Sequence, residues 1–270
     1  MRQVIEVGAI AGKVVAIARV AGKVILDIYS SSAKGGDGVL VAHKADASPL
    51  TLADLASHRV ISEGLRQLTP EIPVISEEDE ESAKGARGAL FWLIDPLDGT
   101  KEFLAQNGEF TVNIALVSDG VPIFGVVFAP ALGLMYWGGQ GLGAFRERLG
   151  TVESLRVARP VVPGETFRVV ASKSHLNAET KEFIARLGRC ELIQAGSSLK
   201  FCRVAEGAAD VYPRLGPTCE WDTAAAHALL EAAGGFVCDL QGESLRYGKP
   251  DVLNPFFIAA SVPLVELEGA

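Results

Sequence analysis

From Val4 to Ile28 the chain is apolar, but Glu6, Lys13, Arg19, Lys23 and Asp27 interrupt it, as in an amphipathic helix packed on a protein body. The longest uncharged stretch before Lys13, Val7 to Gly12, is too short for a signal segment or a membrane span. A Ser- and Gly-rich loop follows, from Ser30 to Gly38, and then a short strand, Val39 to Val41. Thr51 and Asp54 have the S/T-x-x-D/E spacing that opens a helix, here running to about Leu68 and ended by Pro70 and Pro73. The run Ala89 to Ile94 is continuously apolar and predicts a buried strand with Asp95 at its exit. Thr111–Val117 and Val121–Ala129 flank Asp119-Gly120, a pair that suits a tight hairpin, and another strand lies near Leu134–Trp137.

Beyond about Val161 the pattern changes to alternation. Strands are expected at Phe167–Ala171, Glu191–Gln194, Val211–Tyr212, Phe236–Cys238 and Phe256–Ala259, and helices at Ala178–Leu187, Ser198–Gly207 and Asp222–Ala233. The first half therefore predicts an antiparallel meander and the second an α/β layer with helices on both faces of a mixed sheet. We expect two regions, a metal-binding α+β region over 1–160 and a substrate-binding α/β region over 161–270.

The chain has 270 residues, 49% hydrophobic and 21% charged, an ordinary globular composition. The formal net charge is -8 and basic runs are lacking, so long nucleic acid is a poor partner. Cys190, Cys202, Cys219 and Cys238 show neither zinc-site spacing nor a disulfide framework. A reducing cytoplasm fits best, with peripheral contact at the inner membrane as the lesser alternative.

The chemistry centres on Asp95-Pro96-Leu97-Asp98-Gly99-Thr100. In a single tight turn the two carboxylates and the Leu97 carbonyl converge on one point, a hard oxygen set suited to magnesium, and Asp95 could bridge two ions. Gly99 and Thr100 would offer backbone N–H groups to a phosphate at a helix start. The same residues also make an ordinary turn. Ile75 to Glu81 reads as a solvated charge run, except that Glu77 follows the apolar Val74-Ile75. Asp222 is explained equally by an N-cap, and Asp54 by a capping box.

Taken in order, these segments resemble the inositol monophosphatase superfamily, and within it the 3′(2′),5′-bisphosphate nucleotidases of the bacterial CysQ type. The matching stretches are K-A-D-A-S-P-L-T-L-A-D (Lys44 to Asp54), I-S-E-E-D (Ile75 to Asp79), D-P-L-D-G-T-K-E-F (Asp95 to Phe103) and N-G-E-F-T-V-N-I-A-L (Asn107 to Leu116). Later come S-K-S-H (Ser172 to His175), G-S-S-L-K-F-C (Gly196 to Cys202), Y-P-R-L-G-P-T (Tyr212 to Thr218) and W-D-T-A-A-A-H (Trp221 to His227). Two departures are S-E-E-D in place of G-E-E, which argues against inositol phosphate as the main substrate, and Leu52 in place of a smaller residue.

The resemblance implies a layered αβαβα sugar-phosphatase-like fold. It implies two or three magnesium ions on Glu77, Asp95, the Leu97 carbonyl, Asp98 and Asp222. Asp54 and Thr100, with Glu77, would prepare the attacking water. His175, Ser197, Lys200 and Arg214 would contact the nucleotide, while Leu97, Asp98, Gly99, Thr100 and Asp222 face the reacting phosphate. The implied reaction converts adenosine 3′,5′-bisphosphate to AMP and phosphate, and its sulfated relative likewise, within sulfur metabolism and with sensitivity to lithium, in a monomer or homodimer. The alternatives are an inositol or sugar monophosphatase, or a non-catalytic regulator of the same fold.

Overall fold

The computed structural model describes residues 6–32, 40–43, 49–79, 81–82, 88–162, 164–171 and 177–267. His175 and the start of the segment at Lys44 lie outside the described residues.

Two long helices, α1 (Val7–Ser32) and α2 (Leu52–Leu68), precede the first sheet, with a two-stranded ribbon of β1 (Leu40–His43) and β2 (Pro49–Thr51) between them. α1 continues through Ser30 and Ser31, where a loop was expected. That sheet has seven strands in sequence order: β3 (Val74–Ser76), β4 (Leu90–Asp98), β5 (Thr111–Ser118), β6 (Val121–Ala129), β7 (Leu134–Gly139), β8 (Gly143–Arg148) and β9 (Thr151–Ser154). All neighbours are antiparallel except β3 and β4, which run parallel. The sheet is thus mixed at one edge, not wholly antiparallel as expected. At the hairpin between β5 and β6, Asp119 and Gly120 take φ values of 50° and 78°, as a primed two-residue turn requires.

The second sheet has the order β11 (Cys190–Gln194), β10 (Phe167–Ala171), β12 (Val211–Arg214), β14 (Phe257–Ala260), β13 (Phe236–Asp239). It is parallel at β11-β10-β12 and antiparallel beyond. Its helices are α4 (Ala178–Arg186), α5 (Leu199–Ala205), α6 (Glu220–Ala232) and the short α7 (Leu264–Leu267), while α3 (Thr100–Leu104) belongs to the first half.

Strand alternation sorts the core into layers, because neighbouring side chains point to opposite faces. Trp92 and Ile94 face α1 and α2 together with Ile114, Leu116 and Phe128. Phe91 and Leu93 face the other way, onto Leu199 and Phe201 of α5 and the alanine-rich α6, which reach Tyr212 and Ala259 of the second sheet. The far face of that sheet, with Val169, Val211 and Ile258, packs on Phe183, Ile184 and Leu267. The result is the expected αβαβα stack, with α5 and α6 between the sheets. α6 lies so close to β6 that a Cβ on Gly125 would sit 1.9 Å from the Ala225 carbonyl oxygen.

Candidate active site

β4 does not end at Ile94. It runs on to Asp98, pairing Asp95 with Asn113 and Asp98 with Thr111. Three steps on β4 match two on β5, so one extra residue is extruded at Pro96-Leu97, where Pro96 has no N–H for the ladder. The expected turn is therefore a bulge within a strand. Since side chains alternate, residues three apart would normally oppose each other; the bulge brings Asp95 and Asp98 to the same side. Ser57 of α2 pins it, its hydroxyl donating to the Pro96 carbonyl at 2.7 Å.

Glu77 follows β3 directly, and its backbone N–H donates to the Ile94 carbonyl at 3.2 Å. The Glu77 carboxyl comes within hydrogen-bonding reach of Asp95. Asp95 is only 1% exposed. Burial, followed by the charges of Glu77, Asp98 and Asp222, pushes its carboxyl well above the usual carboxylate range. Asp222 is raised for the same reasons: burial first, then Asp98 and Glu77. Four acidic groups, from β4, α6 and the turn after β3, thus share one neighbourhood.

Asp222 is not an N-cap. α6 begins two residues earlier, at Glu220, and Asp222 stands at its third position with Oδ2 accepting the Cys219 N–H at 2.8 Å. Asp98 Oδ2 accepts from the Ser197 hydroxyl at 2.6 Å, the Ser198 N–H at 2.7 Å and the Ser198 hydroxyl at 3.0 Å. The other oxygen of Asp98 and of Asp222 receives no hydrogen bond among the described residues. No three Asp, Glu, His or Cys side chains among them converge closely enough to hold an ion as they stand. The donor chemistry nevertheless fits a hard divalent cation: oxygen-only, with Asp95 buried and Glu77, Asp98 and Asp222 half-buried, and, among the described residues, without a basic side chain hydrogen-bonded to Asp95, Asp98 or Asp222.

Asp54 is the third residue of α2, closing the capping box whose N-cap is Thr51, and also faces the site. Its Oδ2 accepts the Thr51 N–H at 2.8 Å and meets the Thr51 hydroxyl, while Oδ1 accepts the Thr100 hydroxyl at 3.3 Å. The Thr100 hydroxyl also lies 3.5 Å from the Leu97 carbonyl oxygen. Gly99, with φ of 90°, turns the chain from β4 into α3, a left-handed conformation natural to glycine.

The second half supplies the opposite wall. Ser197 has φ of 50°, uncommon for a residue with a side chain, and its hydroxyl lies 2.6 Å from Thr111 Oγ1 as well as from Asp98. Lys200 is buried, donates to the Ser197 carbonyl at 2.5 Å and sits 5.4 Å from the Tyr212 ring centroid. Burial draws its ammonium down to about 8, with Asp98 acting in the opposite direction. Arg214 donates from Nη2 to the Pro217 carbonyl at 2.9 Å, while its Nε is buried with no partner among the described residues. Lys200, Arg214, Ser197, Asp98, Gly99 and Asp222 line one cleft of about 120 Å³.

The structure thus brings together ten of the expected residues, Asp54, Glu77, Asp95, Leu97, Asp98, Thr100, Ser197, Lys200, Arg214 and Asp222, with Gly99 at the rim. Sequence reasoning missed Ser198, Thr111 and Asn113. Thr111 and Asn113 are two apart on β5, hence on one face, and Asn113 donates to Ser198 Oγ at 2.9 Å. Their alternation within F-T-V-N was the available signal.

The model of the inositol monophosphatase family matches residues 6–267. The chain belongs to the inositol monophosphatase family. It is 49% identical over 245 residues to the 3′(2′),5′-bisphosphate nucleotidase CysQ of Escherichia coli K12, covering 89% of this chain and 95% of that protein. To the protein of the same name from Buchnera aphidicola it is 40% identical, covering 93% of each. Among solved structures, CysQ from Bacteroides thetaiotaomicron, described as a bacterial member of this family, superposes with a TM-score of 0.78 at 42% identity, covering 94% of this chain and 98% of that one. Within the inositol monophosphatase family, then, this chain resembles the bisphosphate nucleotidases. No helix among its described residues is long and apolar enough to cross a membrane.

Proposed function

We propose that the chain is a magnesium-dependent phosphatase that removes the 3′-phosphate of adenosine 3′,5′-bisphosphate, yielding AMP and phosphate, and acts likewise on the sulfated relative. The observation that carries this reading is the shared cleft: Asp98 and Asp222 of the acidic cluster line the same space as Lys200 and Arg214. A substrate with one phosphate to lose and another to keep needs two such subsites. The names of the relatives point to the same substrate class.

Glu77, Asp95, the Leu97 carbonyl, Asp98 and Asp222 would hold the ions. When bound, magnesium supplies the positive charge that neutralises these carboxylates, admits an anionic substrate and stabilises charge on the reacting oxygens. The chain's own residues provide the rest. Thr100, whose hydroxyl donates to Asp54, takes a proton from the attacking water as its own hydroxyl proton moves to Asp54. Water oxygen bonds to phosphorus, the bond from phosphorus to the 3′-oxygen breaks, the leaving 3′-oxygen takes a proton from solvent water, and Asp54 returns its proton to solvent. Lys200 and Nε of Arg214, which has no partner among the described residues, grip the phosphate that stays.

Phosphate release from the bisphosphate and from inositol 1-phosphate tests this. Lys200→Met and Arg214→Ala should raise KM for the bisphosphate about 10–100-fold, the equivalent of losing one charged hydrogen bond, and change the monophosphate reaction little. Equal losses on both substrates, or faster wild-type turnover of inositol phosphate, would favour the monophosphatase reading. No magnesium-stimulated release from either would remove the enzymatic one.

A further inference from the structure

Glu220 stands two residues before Asp222 and is fully buried. The proposed chemistry has no use for its charge, yet a carboxylate removed from water is destabilising unless it is met by donors. Its Oε2 accepts the Gly248 N–H at 2.8 Å, and Oε1 accepts both the Lys249 N–H at 3.0 Å and the Lys249 ammonium at 2.5 Å. The backbone N–H of Glu220 in turn donates to the Val252 carbonyl at 2.9 Å.

The same segment closes a second time at Asn254. Its backbone N–H donates to the Thr218 carbonyl at 2.9 Å. Its side-chain amide reaches the Cys219 carbonyl at 2.8 Å, Thr223 Oγ1 at 3.1 Å and Thr218 Oγ1 at 3.2 Å. Residues 248–254 lie outside every helix and strand named above, so these contacts set the path of the segment. What it encircles is the turn that opens α6.

That turn holds both halves of the cleft. Cys219 N–H orients the Asp222 carboxylate, and the Pro217 carbonyl anchors the Arg214 guanidinium. We infer that Glu220, Lys249 and Asn254 form a strap whose role is to fix Asp222 and Arg214 in one geometry, which makes them positioning residues for metal binding and for recognition of the second phosphate. The inference rests on the proposed function for the identity of metal and substrate, but its effect on the acidic cluster can be read without any substrate. A strap that only held the fold would affect stability and leave metal affinity alone.

Glu220→Gln is the direct variant, but it leaves mismatched donors in the core and risks unfolding. Lys249→Met is milder, because its side chain is 31% exposed and Glu220 keeps two backbone donors; Asn254→Ala cuts the other end. Calorimetric titration of manganese into metal-stripped full-length protein is the primary reading, with circular dichroism to show that each variant is folded. Groups that orient metal ligands typically account for about 10–100-fold in affinity, so both variants should bind manganese about tenfold more weakly, with Lys249→Arg restoring most of the loss. The bisphosphate KM should rise with it. A folded variant that binds manganese as the wild type does, whatever its melting temperature, overturns the strap. If the manganese pattern holds but wild type releases no phosphate from the bisphosphate, the substrate reading fails and the strap stands. Wild-type protein that binds no manganese defeats both.

Discussion

Ser198 ties the two halves of the chain together at the site. Its N–H and hydroxyl both reach Asp98, its hydroxyl lies 2.7 Å from the Asp222 carbonyl, and it receives the Asn113 amide. Ser198→Ala should therefore lower kcat by at least about tenfold and destabilise the fold by about 1–3 kcal/mol, since a buried amide and a carbonyl lose their partner. Steady-state assay and urea unfolding measure the two effects; unchanged values in both would mean that water replaces the hydroxyl without loss. His58 offers a pH prediction. Burial, with Arg66 and Arg59 adding to it against Asp79, lowers its pKa below 6.5, and Nδ1 lies 2.8 Å from Ser76 Oγ. The unfolded chain then takes up the proton first, so this contribution is present above 6.5 and is lost as pH falls through the folded-state value. The buried carboxylates, whose pKa values are raised, act with the opposite sign. The comparison to make is thus between wild type and His58→Gln: the variant's melting temperature should fall less between pH 7 and pH 5, and parallel curves would contradict the assignment.

At the scale of elements, Gly125 is the sharpest constraint. With α6 packed against β6, Gly125→Ala must drive the two apart, and overpacking of this severity should destabilise by about 3 kcal/mol and weaken magnesium activation through displacement of Asp222. A midpoint in urea within error of wild type would show that the helix can slide freely. Most elements were legible in the sequence because their apolar periodicity was strong: α2 between its capping box and Pro70, the β5–β6 hairpin around Asp119-Gly120, the helix–strand alternation after Phe167. Those missed had mixed signals. β8 and β9 are polar and partly or fully exposed, so no apolar run marks them. β4 was cut short at Ile94 because Asp-Pro-Leu-Asp-Gly reads as turn chemistry, and only the ladder to Asn113 and Thr111 reveals a bulge. The acidic residues were legible as members of a resembling pattern, whereas Ser198 and Thr111 resembled ordinary capping and strand residues.

At the scale of the whole molecule, the acidic cluster draws its members from both halves of the chain, so metal and stability should be coupled. Adding magnesium to the stripped protein should raise its melting temperature, with a gain of about 2.7 kcal/mol at a hundredfold excess over Kd for one site; a scanning calorimeter reads this directly, and a melting temperature indifferent to magnesium would separate the cluster from any ion. The αβαβα stack also makes one element common to both tasks. α6 is the wedge between the sheets and the bearer of Asp222, so its body has little freedom to drift. Substrate preference in such a molecule should therefore be easier to alter at half-buried positions of the cleft wall, such as Glu102, Arg214 and Thr218, than along α6, whose every turn also holds the layers together.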